Sequence, residues 1–174
     1  ILIAITGSNG KTTTKDLIYS MISQERNCGA SSGNLNSTIG APLALINGLD
    51  DSGIYIMEAG ASDFAEIEKI CEICKPTHAC ITNINLAHTE FFGDLNGVAR
   101  AKWELWSWIK SCNGIAIVNM DDELVSEGAK GILRRSSYSL QKSKTGADMT
   151  IETLGMDNMA RAELNLSGKQ LVLS

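Results

Sequence analysis

Residues 1–22 read ILIAITGSNGKTTTKDLIYSMI, and this stretch decides the fold. Ile1 to Ile5 is a short apolar run closed by Thr6 and Gly7, after which Leu17, Ile18, Met21 and Ile22 recur at a period near 3.6. The order is therefore strand, glycine-containing turn, helix. In that setting backbone N–H groups and the helix N-terminus gather around an anion, so Gly7, Ser8, Asn9, Gly10, Lys11, Thr12 and Thr13 form a candidate phosphate loop. Lys11 is placed to add charge at the outer phosphates, and the Thr12 hydroxyl is suited to Mg²⁺. The generic pattern asks for a glycine five residues before Gly10, where Ile5 stands, so this loop is a shorter one. A glycine-rich turn that binds nothing has no use for Gly-Lys-Thr at the start of a helix.

The alternation continues outward from that unit. Gly53 to Met57 is a second apolar run, with Ser62-Asp63 as a candidate cap for a helix carrying Phe64, Ile67, Ile70, Cys71 and Cys74 and ended by Pro76. His78 to Ile84 is a third run, Gly97 to Ile109 reads as a helix, Gly114 to Val118 as a fourth strand and Asp121 to Lys130 as another helix. Strands alternating with helices predict an α/β fold, a doubly wound, mostly parallel sheet with right-handed crossovers. Ala147 to Leu173 alternates apolar and polar residues, with Ser167-Gly168 as a tight connection, which predicts a small antiparallel β annex near the C-terminus.

The 174 residues suit one domain, and no apolar run nears the roughly 18 residues that span a membrane, so a cytoplasmic protein with no membrane insertion is expected. A net charge of -5 without clustered Lys and Arg argues against a nucleic-acid partner. Five cysteines, an odd number, point to reduced thiols. The Cys71-x-x-Cys74 pair has no second pair or clustered His and reads as thiols on a core-facing helix. Nothing in the sequence asks for an obligate partner, and a monomer is expected.

Two further residues stand out on physical grounds. Val98, Lys102, Leu105 and Ile109 share one helix stripe, which sets Lys102 among apolar side chains. Burial disfavours its ammonium form and leaves an amine able to react with CO₂, although a lysine can also bury its stem and carry its charge to water. Glu58 ends an apolar strand, and open parallel sheets bind ligands beyond the carboxyl ends of their strands. A carboxylate there suits a Mg²⁺ on ATP phosphates, or is simply a strand-end charge.

Residues 6 to 13 fit T-G-S/T-x-G-K-T-S/T, and by this the chain resembles the Mur ligases. Four segments then resemble that family in order: Gly33-Asn34-Leu35-Asn36-Ser37-Thr38-Ile39-Gly40-Ala41-Pro42, Met57 to Ser62, Thr82 to Glu90 with Phe91-Phe92-Gly93 after it, and Ala101-Lys102-Trp103-Glu104-Leu105. Asn119-Met120-Asp121-Asp122 is similar to the family's N-x-D-D.

The resemblance implies ATP as substrate and two Mg²⁺ sites, with Thr12, Glu58, His88 and Lys102 as metal ligands. It implies that Lys102 is carbamylated by CO₂ and that Lys11, Lys102 and His88 are catalytic. Asn36 and Gly40 would lie near the UDP-linked substrate, and Asn119 and Asp121 near the nucleotide, with Asp121 equally readable as a helix cap. Within the family the loop at 33–42, the Glu58 segment and the His88 to Gly93 run favour the branch that joins D-Ala-D-Ala to UDP-MurNAc-tripeptide through an acyl phosphate. Other readings are another ligase of the family, such as the one adding the third residue, a folylpolyglutamate synthase, or a nucleotide-binding module without catalysis. The family's G-x-H-N-x-x-N-A helix and its flanking domains have no counterpart in residues 1–174. The expectation is a central ATP-binding domain, truncated at its C-terminal end, that has no ligase activity alone.

Overall fold

The computed structural model describes residues 1–33, 35–48, 53–86, 89–140, 148–154, 161–166 and 169–173. The elements in order are β1 (Leu2–Thr6), α1 (Lys11–Ile22), β2 (Gly29–Ala30), α2 (Gly40–Gly48), β3 (Tyr55–Glu58), α3 (Glu66–Cys74), β4 (His78–Ile81) and α4 (Thr89–Phe92). There follow α5 (Leu95–Ser111), β5 (Ile115–Asn119), α6 (Glu123–Gly128), β6 (Arg135–Ser139), β7 (Met149–Leu154), β8 (Arg161–Leu166) and β9 (Lys169–Leu173). The sheet runs β2-β3-β1-β4-β5-β6-β7-β8-β9. Its pairings from β2 to β7 are parallel, as the alternation predicts. β8 pairs antiparallel with β7 and β9 antiparallel with β8, as a continuation of the same sheet. Ala147 and the Ser167-Gly168 connection lie outside the described residues.

Period-2 side-chain alternation divides the central strands between two cores. Ile3 and Ile5 of β1, Ile56 of β3 and Cys80 of β4 point to one face, where Ile18 and Ile22 of α1 cover them. Leu2, Ala4, Tyr55, Met57, Ala79 and Ile81 point to the other, with Ile67 and Ile70 of α3, Val98, Leu105 and Ile109 of α5, and Val125 of α6. Each fully buried isoleucine contributes about 1.5–3 kcal/mol, so both faces are firmly held. Of the three tryptophans of α5, Trp106 is buried and Trp103 and Trp108 are half-buried, and each finds an acceptor for its N–H group. Trp103 donates to Leu124 O at 2.9 Å, Trp106 to Val125 O at 3.3 Å and Trp108 to Pro76 O at 3.0 Å.

Several boundaries differ from the sequence reading. Ser62 and Asp63 do not cap α3; its N-cap is Ala65, in the left-handed region at φ 63°. Carboxylates replace the expected cap, since Ser62 and Asp63 donate their N–H groups to Glu66, while Ala65 and Glu68 donate theirs to Glu104 of α5. Asp94 caps α5 by accepting from Gly97 N–H at 2.8 Å. α6 is capped by Asp122, which accepts from Val125 N–H, and not by Asp121, which accepts from the Ser139 hydroxyl and Leu140 N–H at the end of β6. The stretch read as a loop at 33–42 already turns into α2 at Gly40, whose N–H donates to the Ser37 hydroxyl. Pro42 sits in the first turn, where its missing N–H costs nothing.

All five cysteines are free, and Cys71 and Cys74 are buried as the helical spacing predicts. Burial, with Cys74 close by, pushes the Cys71 thiol up to about 12, so it is inert. Among the described residues no helix is long and apolar enough to cross a membrane.

Candidate functional site

β1, β3, β4 and β5 all deliver their C-terminal ends to one edge of the sheet, and the residues that follow them build the site. Past Thr6 the chain enters the phosphate loop. Gly7 has φ 150°, and a Cβ there would stand 1.9 Å from the Thr82 hydroxyl oxygen, so both conformation and space demand glycine. Gly10 has φ 78° and is the N-cap of α1. A Cβ on it would meet nothing within 4 Å, so conformation alone selects that glycine.

The first N–H of α1 that finds a backbone acceptor among the described residues is Thr14, bonded to Gly10 O at 2.9 Å. The N–H groups of Lys11, Thr12 and Thr13 therefore face the loop mouth as open donors at the positive end of the helix. The Lys11 ammonium folds back over the loop and donates to Gly7 O at 2.8 Å. Burial lowers its pKa and the Glu58 carboxylate opposes that shift, so Lys11 and Glu58 share one electrostatic site.

Glu58 ends β3 with 3% of its surface exposed. Its N–H donates to the Ser31 hydroxyl at 3.2 Å. Its Oε1 is buried with no hydrogen-bond partner, the orphaned carboxylate oxygen that a divalent cation would satisfy. The nearest cation is Lys15, whose ammonium lies 4.0 Å from that oxygen. Lys15 escaped the sequence reading although it is 5% exposed, bonded to Ser31 O at 2.7 Å and paired with Asp16 at 2.9 Å. The available signal was its place four residues after Lys11, one turn along the same face of α1.

Lys102 occupies its predicted stripe at 4% exposure between Val98 and Leu105, both at 0%. It borders a cavity of about 230 Å³ shared with Gly7, Ser8, Lys11, Asn36, Ser37 and Glu66. Burial first, and the like charge of Lys11 second, bring its pKa down to about 8.

Asn36 borders the same cavity and accepts Gly60 N–H on its backbone carbonyl at 2.7 Å. Gly40 is buried at the start of α2. Asn119 reaches the phosphate loop indirectly: its amide donates to Thr82 O at 2.9 Å and accepts from Asp121 N–H at 3.0 Å. Asp121 is engaged with β6 as described. His88 and Asn34 lie outside the described residues. Asn83, which the family-like run at 82–90 includes without giving it a role, holds both the N–H and the C=O of Asn9, at 3.1 and 3.0 Å.

This chain matches the Mur ligase middle domain family over residues 5–171. The UDP-N-acetylmuramoyl-tripeptide--D-alanyl-D-alanine ligase of Escherichia coli is 39% identical to it over 121 residues, 70% of this chain and 26% of that protein. The ligase of the same name from Buchnera aphidicola is 41% identical over 150 residues, covering 83% of this chain and 32% of the relative. The crystal structure of MurF ligase from Thermotoga maritima in complex with ADP superposes with a TM-score of 0.85 at 27% identity, over 99% of this chain and 39% of that one. The chain thus spans about a third of the length of the relatives it matches. With the phosphate loop, the buried Glu58 and the buried Lys102 gathered at one sheet edge, and the family match running from Ile5 to Leu171, the chain belongs to the Mur ligase middle domain family.

Proposed function

We propose that this chain is the ATP-binding part of a ligase that joins D-Ala-D-Ala to UDP-MurNAc-tripeptide. The observation that carries the proposal is the shared cavity, in which the phosphate loop, Lys102 and Asn36 line one space and the Lys11 ammonium feels the buried Glu58 carboxylate. The names of the relatives support the substrate pair, and the ADP complex of the Thermotoga maritima structure supports ATP.

The reaction needs a carboxylate to attack the γ-phosphorus of ATP, with ADP leaving, and then an amine to attack the resulting acyl phosphate and expel phosphate. Both partners in the first step are anions, so positioning and charge neutralisation dominate the rate gain. Open N–H groups at Lys11, Thr12 and Thr13 grip the phosphates, and the Lys11 ammonium stabilises charge on the oxygens that develop it. Thr12 and Glu58 would hold Mg²⁺, which supplies further neutralisation of the outer phosphates when bound. Lys102, with a pKa near 8, keeps a sizeable neutral fraction able to form a carbamate with CO₂, giving an anion for a second Mg²⁺ that His88 would share. Asn36, which lines the cavity, and Gly40 would lie near the UDP-linked substrate.

The test is phosphate release by the full-length protein with ATP, Mg²⁺ and UDP-MurNAc-tripeptide. Release that depends on D-Ala-D-Ala is expected. Release with a single amino acid instead, or with a different acceptor, would move the protein to another branch of the family, and none at all would end the ligase reading.

A further inference from the structure

We propose that Asn83 is a positioning residue that sets the working shape of the phosphate loop, a role that rests on the nucleotide-binding reading above. Asn83 lies past the end of β4, far in sequence from the loop it serves. Its side-chain amide pairs with both polar groups of residue 9, accepting Asn9 N–H on Oδ1 at 3.1 Å and donating from Nδ2 to Asn9 C=O at 3.0 Å. The Asn9 N–H belongs to the peptide that precedes it and the Asn9 C=O to the one that follows, so the pair orients both peptides that flank this residue. The contact is reinforced along its length. The Thr82 hydroxyl donates to the same Asn9 carbonyl at 2.7 Å, and Ser8 N–H donates to Asn83 C=O at 3.0 Å.

The platform under Asn83 is itself braced from β5 and α6. Asn119 holds the Thr82 carbonyl, and Ile84 N–H donates to Asp122 at 2.7 Å, so the peptides on either side of Asn83 are fixed; its side chain has its shortest bonds to Asn9, with longer ones at 3.4 Å to the Thr82 hydroxyl and from the Asn85 amide. This divides the loop into two parts. The Asn9 N–H is turned to Asn83, and the phosphate is left to the open donors of the first turn of α1. Without the brace the Asn9 N–H loses its acceptor and the Asn9 carbonyl keeps the Thr82 hydroxyl, so the two peptides flanking Asn9 are less firmly oriented beside the anion site.

ADP affinity of the full-length protein, measured by calorimetry with Mg²⁺ present, tests the role. Asn83→Asp keeps the size but sets an oxygen against the Asn9 carbonyl, and Asn83→Ala removes both bonds without adding charge. Loss of the paired bonds is expected to weaken ADP binding by about tenfold in each variant. KM for ATP should rise similarly while kcat and the unfolding midpoint of the nucleotide-free protein change little. Unchanged ADP affinity in folded variants, or a lower midpoint alone, would make Asn83 merely structural and overturn the proposal. Tighter binding would overturn it in the opposite sense, because Asn83 would then be competing with phosphate for Asn9 N–H. If Asn83→Asp is too unstable to titrate, the uncharged alanine variant decides. Absence of ADP binding by the unmutated protein would instead overturn the nucleotide reading, and this role with it.

Discussion

A lysine at 4% exposure in an apolar stripe carries a signature in pH as well as in chemistry. Lys102 drops from an ordinary value of 10.5 to about 8 on folding, so between those values the unfolded chain holds the proton more tightly than the folded one. Stability therefore rises with pH across that window, and below about 8 the buried ammonium weighs against the fold in full. At 1.36 kcal/mol per pK unit the effect is on the order of 3 kcal/mol. In CO₂-free buffer Lys102→Met should be more stable than the parent at pH 7, with the gap closing toward pH 10 in urea unfolding. A constant gap would mean that the lysine is not desolvated. Lys102 was legible in the sequence because helical periodicity alone assigns it to the core face. Lys15 and Asn83 were not, since what matters about each is a partner on another element: Ser31 and Glu58 for one, the Asn9 peptide for the other. Of two adjacent acids, Asp121 and Asp122, the sequence could not say which would cap α6, because the turn after Asn119 decides it.

Among the elements, strands with continuous apolar runs were readable and helix starts were not. β1 and β3 announce themselves by being buried on both faces, whereas α3 begins where a carboxylate from another helix meets it. Glu104 of α5 accepts Ala65 N–H at 2.7 Å and Glu68 N–H at 3.1 Å, a cap supplied across 36 to 39 residues that no local pattern can reveal. Glu104→Ala should cost about 1–2 kcal/mol in urea unfolding, in the range of a lost N-cap. Glu104→Gln, which keeps one carbonyl oxygen, should cost less. Equal losses would point to charge, not capping, as the source of the stabilisation. The helix α2 was missed because Gly33 to Pro42 is dense in turn formers, yet Ser37 and Pro42 are a start signal in retrospect.

At the scale of the whole molecule, alternation of strand and helix was enough to foresee a parallel α/β sheet, and too little to order it. Placing β1 between β3 and β4 depends on which crossover covers which face, and α1 packs on one face while α3 and α5 take the other. That order sets the phosphate loop between Glu58 and Thr82, and it makes ligand binding a stability event for the entire sheet. ADP with Mg²⁺ at about a hundred times its dissociation constant should stabilise the protein by about 2.7 kcal/mol. In thermal unfolding, the Mg²⁺-dependent share of that gain should vanish on adding EDTA and be absent in Glu58→Gln, while the share due to ADP alone remains. A full Mg²⁺ response in Glu58→Gln would remove Glu58 from the cation site.

The pairing of Asn9 with Asn83 also has a consequence in time. The two residues are 74 positions apart. At ribosomal speeds of roughly 5–20 residues per second, the loop leaves the peptidyl-transferase centre about 4–15 s before its brace is made. During that interval the strand and helix around the loop can form locally, but the Asn9 peptide has nothing to hold it. The loop is thus made well before the residue that braces it, and its final shape waits on the strand β4 and the segment that follows.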